Sequence, residues 1–568
     1  MIHGCSIGRP AAVGMLLSLV MLPATSWATD RVVPSPNYPT IQSAIDACSD
    51  GDVVLLSLGT YTGDGNRDLD FDGKAITVRG TDPNDPNAVA GTVIDCEATE
   101  GDRHRGFRFA SGEDPNSVVT GLTIKNGYGP QETLAALTVS AGGAIYCGDA
   151  SPTITRCVFV DNLADDYGGA VCCASPDPYL PRSALTLVDC NFADNEGGAG
   201  GALYCEFSEI TVDGCNFTGN ASLTHGGAIC CLYGSVSISN SALSDNTSLT
   251  YGGAVHSLRG ATIADSTLSG NASAVGGAIC DAWSIARSTI AGNTATSRGG
   301  GIYCGYGDPK ITACTITNNV CNAERDPNHA AWEEDPNSTR WEGGGVYCRW
   351  FSTPRMTNCI ISNNGSSLDG GGIYCGSYSE PIITNCTIAG NQAANLGGGI
   401  FCDDTASPTV SNSILWDNVG IAGTEIVLQS KSEGKASQIA VSYCDVAGDP
   451  SDPNAIHVDP NCTLTWGAGN IDTDPLFVDP DGPDGDPNTW EDNDHHLATG
   501  SPCVNAGDPN GDYEDQTDID GQRRRNSTGV DIGADEYIRR FTCGDGAEAT
   551  LPLALGVLLL LVLIRRIG

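Results

Sequence analysis

The chain has 568 residues, with 28 Lys+Arg against 69 Asp+Glu and a formal net charge of −41. That deficit of cations excludes a nucleic-acid binder, whose phosphates demand Lys and Arg, and it suits a solvated extracellular surface that collects divalent cations. The 72 glycines mark a turn-rich β protein rather than a helical one.

Residues 1–28 read as a secretory signal. Arg9 precedes an apolar run from Ala11 to Leu22, and Ser26-Trp27-Ala28 offers the small-residue site before Thr29. Cys5 precedes the apolar run and leaves with the signal. Export is therefore expected, to the cell surface or the medium, through an oxidising compartment where the remaining cysteines can pair.

Residues 29–130 open with Tyr38-Pro39-Thr40-Ile41-Gln42-Ser43-Ala44-Ile45, then Gly51-Asp52-Val53-Val54 and Gly59-Thr60-Tyr61. Ile41, Ala44 and Ile45 fall at helical spacing and predict a short amphipathic cap. Val93-Ile94-Asp95 and Gly121-Leu122-Thr123-Ile124 predict the first strands.

From 131 to 445 the chain repeats itself. Gly-Gly-(Ala/Gly)-apolar-X-X begins at Gly142, Gly168, Gly200, Gly226, Gly252, Gly276, Gly299, Gly343, Gly370 and Gly397, most steps being 23 to 27 residues. A period of this size is a solenoid signature. In Gly142-Gly143-Ala144-Ile145-Tyr146-Cys147 the strand alternation puts Ile145 and Cys147 on one face and Tyr146 on the other. The glycines permit positive φ and close stacking of backbones. Each copy ends in Asn: Asn162, Asn195, Asn220, Asn246, Asn271, Asn293, Asn319, Asn364, Asn391, Asn418. Asn tolerates the left-handed turn conformation and, stacked, passes an amide hydrogen bond from coil to coil. The fold class expected is all-β: a right-handed parallel β-helix with three strands per coil, an N-terminal helical cap and a small C-terminal module.

The segment from Tyr38 to Tyr61 resembles the start of pectin-lyase-like β-helix proteins, and the resemblance extends over roughly residues 30–440. It implies the fold; for activity it implies only that lyases, hydrolases, epimerases and adhesins share it. The catalytic sets of polygalacturonases and pectate lyases are not matched. Acidic doublets such as Asp165-Asp166 and Asp403-Asp404 lack a basic partner, and Lys310 and Arg298 stand isolated.

Two cysteine columns run down the repeats. Cys147, Cys173, Cys205, Cys231, Cys304, Cys348, Cys375 and Cys402 form the first; Cys157, Cys190, Cys215, Cys314, Cys359 and Cys386 form the second. Their co-occurrence points to bridges within a coil, such as Cys147–Cys157, Cys205–Cys215, Cys304–Cys314, Cys348–Cys359 and Cys375–Cys386. Free buried thiols and pairing between neighbouring rungs are the alternatives. In each case the cysteines are structural, and no zinc spacing accompanies them.

The position between Ile and Cys offers an outward aromatic stripe, Tyr303, Tyr347, Tyr374 and Phe401, on which sugar rings could stack; a ladder of self-packing rings is the plainer alternative. The insertion before Gly343 adds Trp332, Trp341, Glu333 and Glu334 beside it. Glu333, Glu334, Asp403 and Asp404 are the acids available for general acid–base work.

Residues 446–538 change composition. Asp474-Pro475-Leu476-Phe477-Val478-Asp479, Gly500-Ser501-Pro502-Cys503, Asp520-Gly521-Gln522-Arg523 and Val530-Asp531-Ile532-Gly533-Ala534-Asp535-Glu536-Tyr537 resemble the choice-of-anchor Q domain. The resemblance implies a surface-sorting module, one expected to cap the open end of the helix. Asp479, Asp481, Asp484, Asp486, Asp508, Asn510 and Asp512 offer oxygens at alternate positions, a pattern suited to Ca²⁺ though it completes no EF-hand. Residues 539–568 hold Thr542-Cys543-Gly544, an apolar run from Leu551 to Ile564, and Arg565-Arg566. This tail resembles a C-terminal sorting tag of the PEP-CTERM kind and implies partnership with sorting machinery.

The sequence thus predicts an exported, monomeric surface solenoid with a non-catalytic binding or structural role, contacting extracellular or cell-wall polysaccharide. A polysaccharide lyase or glycoside hydrolase is the competing class.

Overall fold

The computed structural model describes residues 30–134, 137–175, 183–258, 260–305, 307–322, 342–430, 435–487, 489–514, 516–525 and 529–537. The expected signal, the sorting tail, Trp332, Trp341, Glu333 and Glu334 lie outside the described residues.

One coil gives the pattern. Ile145–Cys147 lies in the third sheet, Thr153–Thr155 in the first, Val158–Val160 in the second and Leu163–Tyr167 in a fourth. Val171–Ala174 then starts the next coil beside Ile145–Cys147, parallel and in register: Ile145 pairs with Val171, Tyr146 with Cys172, Cys147 with Cys173. Among the described residues the four sheets hold 16, 14, 14 and 9 strands. The result is the right-handed parallel β-helix that the repeat predicts. The fourth sheet is an addition to the three expected: after each Asn the chain stays extended for a few residues before the glycine corner, and those short strands pair from Leu163–Tyr167 to Gln392–Ala393.

The two leading glycines do different work. Gly142 holds φ 61, which a side chain disfavours. Gly143 does not hold a positive φ, but a Cβ there would lie 2.3 Å from the Gly169 carbonyl oxygen of the next coil. The first glycine turns the chain and the second lets coils stack.

The asparagines form a continuous buried ladder. Asn246 Nδ2 donates to Asn271 Oδ1 at 2.9 Å, and Asn271 Nδ2 to Asn293 Oδ1 at 2.9 Å. Each Nδ2 also reaches a carbonyl of the preceding coil, as Asn271 does to Leu243 at 2.9 Å. The left-handed conformation belongs to the residue before each ladder Asn, for example Asp161 at φ 54 and Asn363 at φ 55, not to the ladder residue itself. The ladder Asn keeps its backbone in the strand path so that its amide can point inward.

Inside the coils, apolar and sulfur side chains stack in rungs. Phe159, Phe192 and Phe217 lie ring on ring at 4.7 and 4.5 Å, and each fully buried side chain of this kind contributes about 1.5–3 kcal/mol. The N-terminal end is closed by the helix Ile41–Asp46, whose Ile41, Ala44 and Ile45 are buried; Thr40 and Ser43 exchange capping hydrogen bonds.

Coil strands continue to Ile456–Val458 and Thr463–Trp466. The C-terminal module does not cap that end, contrary to expectation. It folds back along the side of the solenoid. Asn318 and Asn363 both donate to the Pro487 carbonyl, at 3.2 and 3.1 Å, Asn358 donates to Thr517 and Asn412 to Tyr513. Asn412 also accepts from Asp508 N at 2.8 Å and Gly533 N at 2.8 Å. Asn318, Asn358, Asn363, Asn385 and Asn412 all sit at left-handed corner positions, where their amides form a polar strip that the module covers, leaving Asn358, Asn385 and Asn412 buried. Within the module, fully buried Arg524 donates to the carbonyls of Gly533 (2.6 Å), Asp535 (3.2 Å) and Asp531 (3.3 Å) and faces Glu536 at 3.4 Å. Asp531 accepts from Asn505 N and Tyr537 N, both at 2.6 Å. The Asp-Ile-Gly-Ala-Asp-Glu run is therefore architectural.

Candidate functional site

All 23 described cysteines are free thiols, 22 of them buried. The intra-coil bridges expected for Cys147, Cys157, Cys205, Cys215, Cys304, Cys314, Cys348, Cys359, Cys375 and Cys386 do not form. The two columns occupy different corners of the coil, and a first-sheet strand such as Thr153–Thr155 between them spans about 10 Å, beyond disulfide reach. Thiols instead meet along a column, Cys147 beside Cys173, Cys190 beside Cys215 and Cys348 beside Cys375. Burial pushes the Cys157 thiol up to about 12, while a neighbouring column thiol holds Cys215, Cys314 and Cys386 down; packed between rungs, the columns serve as core.

The stripe Tyr303, Tyr347, Tyr374 and Phe401 is also interior. The four residues are 0–7% exposed and stack at 5.5, 4.8 and 5.1 Å. They do point away from the main core, but Val275 and Leu396, each directly preceding a glycine corner, pack over them in a second apolar cluster. The Arg298 guanidinium stands 5.9 Å from the Tyr347 ring. No ring face remains for a ligand, so these residues are corrected from glycan contacts to a self-packing ladder.

Asp403 is buried and accepts the Tyr374 hydroxyl at 2.6 Å. Its neighbour Asp404 lies in a left-handed turn and does not share that bond. Asp484, Asp508 and Asp512 each bind a backbone N–H two residues on, and Asp479 lies in the strand Phe477–Asp479. Among the described residues, neither acidic run draws its carboxylates together.

A feature that alternation did not mark stands out instead. Where the chain leaves the third sheet for the first, two to three residues beyond the first cysteine column, it places Phe207, Tyr233, Trp283, Trp350, Phe351 and Tyr378. Tyr233, Trp283, Phe351 and Tyr378 are 59%, 55%, 70% and 41% exposed. Phe207 stacks on Tyr233 at 5.4 Å and 12°, and Phe351 on Tyr378 at 4.9 Å and 10°. Five of the six hold positive φ: Phe207 48, Tyr233 56, Trp350 53, Phe351 64 and Tyr378 65. Bulky residues rarely adopt this conformation, and such strain concentrates at functional positions.

Cations accompany the rings. Lys435 Nζ lies 4.9 Å from the Tyr378 ring centre, and the Arg349 guanidinium 4.5 Å from that of Trp350. From Phe207 to Tyr378 the ridge follows six coil steps, about 29 Å at ~4.8 Å per rung. The sequence signal is an aromatic placed after the column cysteine, as in Cys205-Glu206-Phe207 and Cys375-Gly376-Ser377-Tyr378.

A cavity of about 420 Å³ lies between module and solenoid, lined among others by Arg287, Thr315, Ser362, Trp490, His495 and Asp520. Arg287 is engaged there by Asp265 through two bonds, at 2.7 and 2.6 Å.

The chain matches the family described as "Right handed beta helix region" over residues 73–247 and 259–440. No curated protein matches it. Among solved structures it is similar to the catalytic domain of a GH87 alpha-1,3-glucanase in complex with tetrasaccharides, at 10% identity over 82% of this chain and 71% of that one, TM-score 0.34. It is similar also to a PL6 family alginate lyase, at 13% identity over 78% and 71%, TM-score 0.31. A third is the A-module of a mannuronan C-5 epimerase from Azotobacter vinelandii, at 12% identity over 77% and 95%, TM-score 0.33.

Proposed function

The chain belongs to the right-handed β-helix region family, and from that premise we propose that it is an exported, surface-displayed solenoid that binds polysaccharide without cleaving it. The observation that carries this is two pairs of stacked rings on neighbouring coils, Phe207–Tyr233 and Phe351–Tyr378, with exposed Trp283 at the same corner between them. Sugar rings present apolar C–H faces, and aromatic rings bury them at small conformational cost. Within each pair the rings stand one rung apart, ~4.8 Å, so an extended chain running along the corner meets them in turn. Lys435 and Arg349 beside those rings suit a polymer carrying carboxylate groups.

Residues 1–28 would deliver the protein across the membrane. The choice-of-anchor Q-like module and the tail 539–568 would hold or sort it at the surface.

The enzymatic alternative, a lyase or hydrolase, requires an acid and a base converging on one substrate point. In the doublet Asp403-Asp404, Asp403 is buried and engaged by the Tyr374 hydroxyl. Affinity electrophoresis through gels containing neutral or uronate-rich polysaccharides tests the proposal. Retention on at least one polymer, with no release of reducing or unsaturated ends, supports binding alone. Release of either kind of end establishes the enzyme instead, and absence of retention on every polymer removes the glycan reading.

A further inference from the structure

In the module, three carboxylates surround one imidazole. His496 Nδ1 meets Asp494 Oδ1 at 2.6 Å, and His496 Nε2 stands 3.2 Å from Asp520 Oδ2. That Nε2 is shut off from solvent and lacks hydrogen-bond geometry to any partner. One ligand atom each from His496, Asp520 and Asp535 lie within 4.8 Å of one another.

The three come from separate segments held rigidly. His496 is in the strand Asp494–Leu497, paired with Phe477–Asp479. Asp520 sits in a turn closed by Asp518 N donating to Gln522 O at 2.8 Å. Asp535 is fixed by accepting Leu497 N at 2.9 Å. Arg524 does not neutralise this group, since its donors go to carbonyls and to Glu536.

We propose that His496, Asp520 and Asp535 form a binding site for a divalent transition-metal ion of the Zn²⁺ class, with Asp494 orienting the imidazole. Zn²⁺ takes both His nitrogen and Asp oxygen as ligands, and a three-ligand site leaves a further position to water. A carboxylate on Nδ1 fixes the tautomer that presents Nε2 to the metal. His496 and Asp520 also line the 420 Å³ cavity, which places the proposed site at its wall. The site is distinct from the acidic runs at Asp479–Asp486 and Asp508–Asp512, which lack a nitrogen donor.

The test uses the full chain freed of metal by chelation and dialysis. Titration calorimetry with Zn²⁺ should show one site, and Zn²⁺ should raise the unfolding temperature. His496→Ala should abolish both responses. Asp494→Asn, which leaves all three ligands in place, should weaken binding ~10–100-fold. Asp481→Asn and Asp508→Asn should change nothing. Co²⁺ in place of Zn²⁺ should give visible d–d absorption in the parent that Asp520→Asn removes, a readout independent of folding. Failure of the parent to bind Zn²⁺, or unchanged binding in His496→Ala, overturns the assignment.

Discussion

Glu425 ends the asparagine ladder: its Oε2 accepts from Asn418 Nδ2 at 2.5 Å, and its Oε1 from Asn418 N at 3.2 Å. Ten stacked amides thus terminate on a single buried acid instead of an eleventh Asn. Burial pushes its carboxyl up to about 8, against the lowering effect of the Asn418 bonds.

A pH dependence follows. The folded-state value lies above the unfolded one, so between about 4.5 and 8 the native state holds a proton that the unfolded chain has lost. Stability then falls as pH rises through that window, by ~1.4 kcal/mol per unit for this group. Glu425→Gln should match the parent near pH 4 and exceed it at pH 8. Denaturant midpoints at the two pH values check this; equal midpoints at pH 8 would show that Glu425 is charged without penalty.

The ladder's interior should be costly to break. Asn271 Oδ1 accepts from both Asn246 N and Asn246 Nδ2, and its own Nδ2 serves Leu243 O and Asn293 Oδ1. Asn271→Ala leaves several buried polar groups unpaired, at ~1–3 kcal/mol each. A loss of about 3–5 kcal/mol in urea unfolding is expected, with Asn271→Asp intermediate because it retains the acceptor.

Thiol chemistry checks the cysteine columns. Denatured, unreduced protein should label at its thiols as fully as reduced protein does. In the native state Cys462, the one described cysteine that is partly exposed, should label first, and Cys462→Ser should remove that fast phase. A gain in label on reduction would mean that bridges exist.

The Asn412 side chain is one anchor of the docked module, binding Asp508 N and the Tyr513 hydroxyl, while its backbone carbonyl accepts from Gly533 N. Asn412→Ala should raise hydrogen exchange across residues 503–534 by at least tenfold while leaving the coils near Asn246 protected. Uniform protection would show that the module is held elsewhere.

Much of this molecule was legible in its sequence, because a solenoid writes one local structure many times. Gly142-Gly143 gave the corner, Ile145 and Cys147 the core, and the Asn column its hydrogen-bonded ladder. The site was harder. Alternation correctly turned Tyr347 and Tyr374 away from the main core, but period two cannot show that Val275 and Leu396 cover that face from another part of the coil. Phe351 and Tyr378 occupy a corner whose spacing from the cysteine varies by a residue, so they fall out of the column alignment. The cysteine columns misled for a related reason: co-occurrence within a coil records shared core volume, while bonding distance is set between rungs. His496, Asp520 and Asp535 are 24 and 15 residues apart, a separation at which only tertiary folding brings ligands together.

The ridge separates from the buried ladder by mutation. Tyr347→Ala should cost about 3–5 kcal/mol of stability by emptying a packed position, yet leave polysaccharide retention intact in the protein that remains folded. Trp283→Ala should do the reverse, changing stability by under ~0.5 kcal/mol and weakening retention.

The most direct measurement is affinity electrophoresis of the Phe351→Ala/Tyr378→Ala double variant beside the parent, on a polysaccharide that retards the parent. Binding along the ridge predicts at least a tenfold loss of affinity with an unchanged unfolding midpoint. Undiminished retardation of the folded double variant would contradict it.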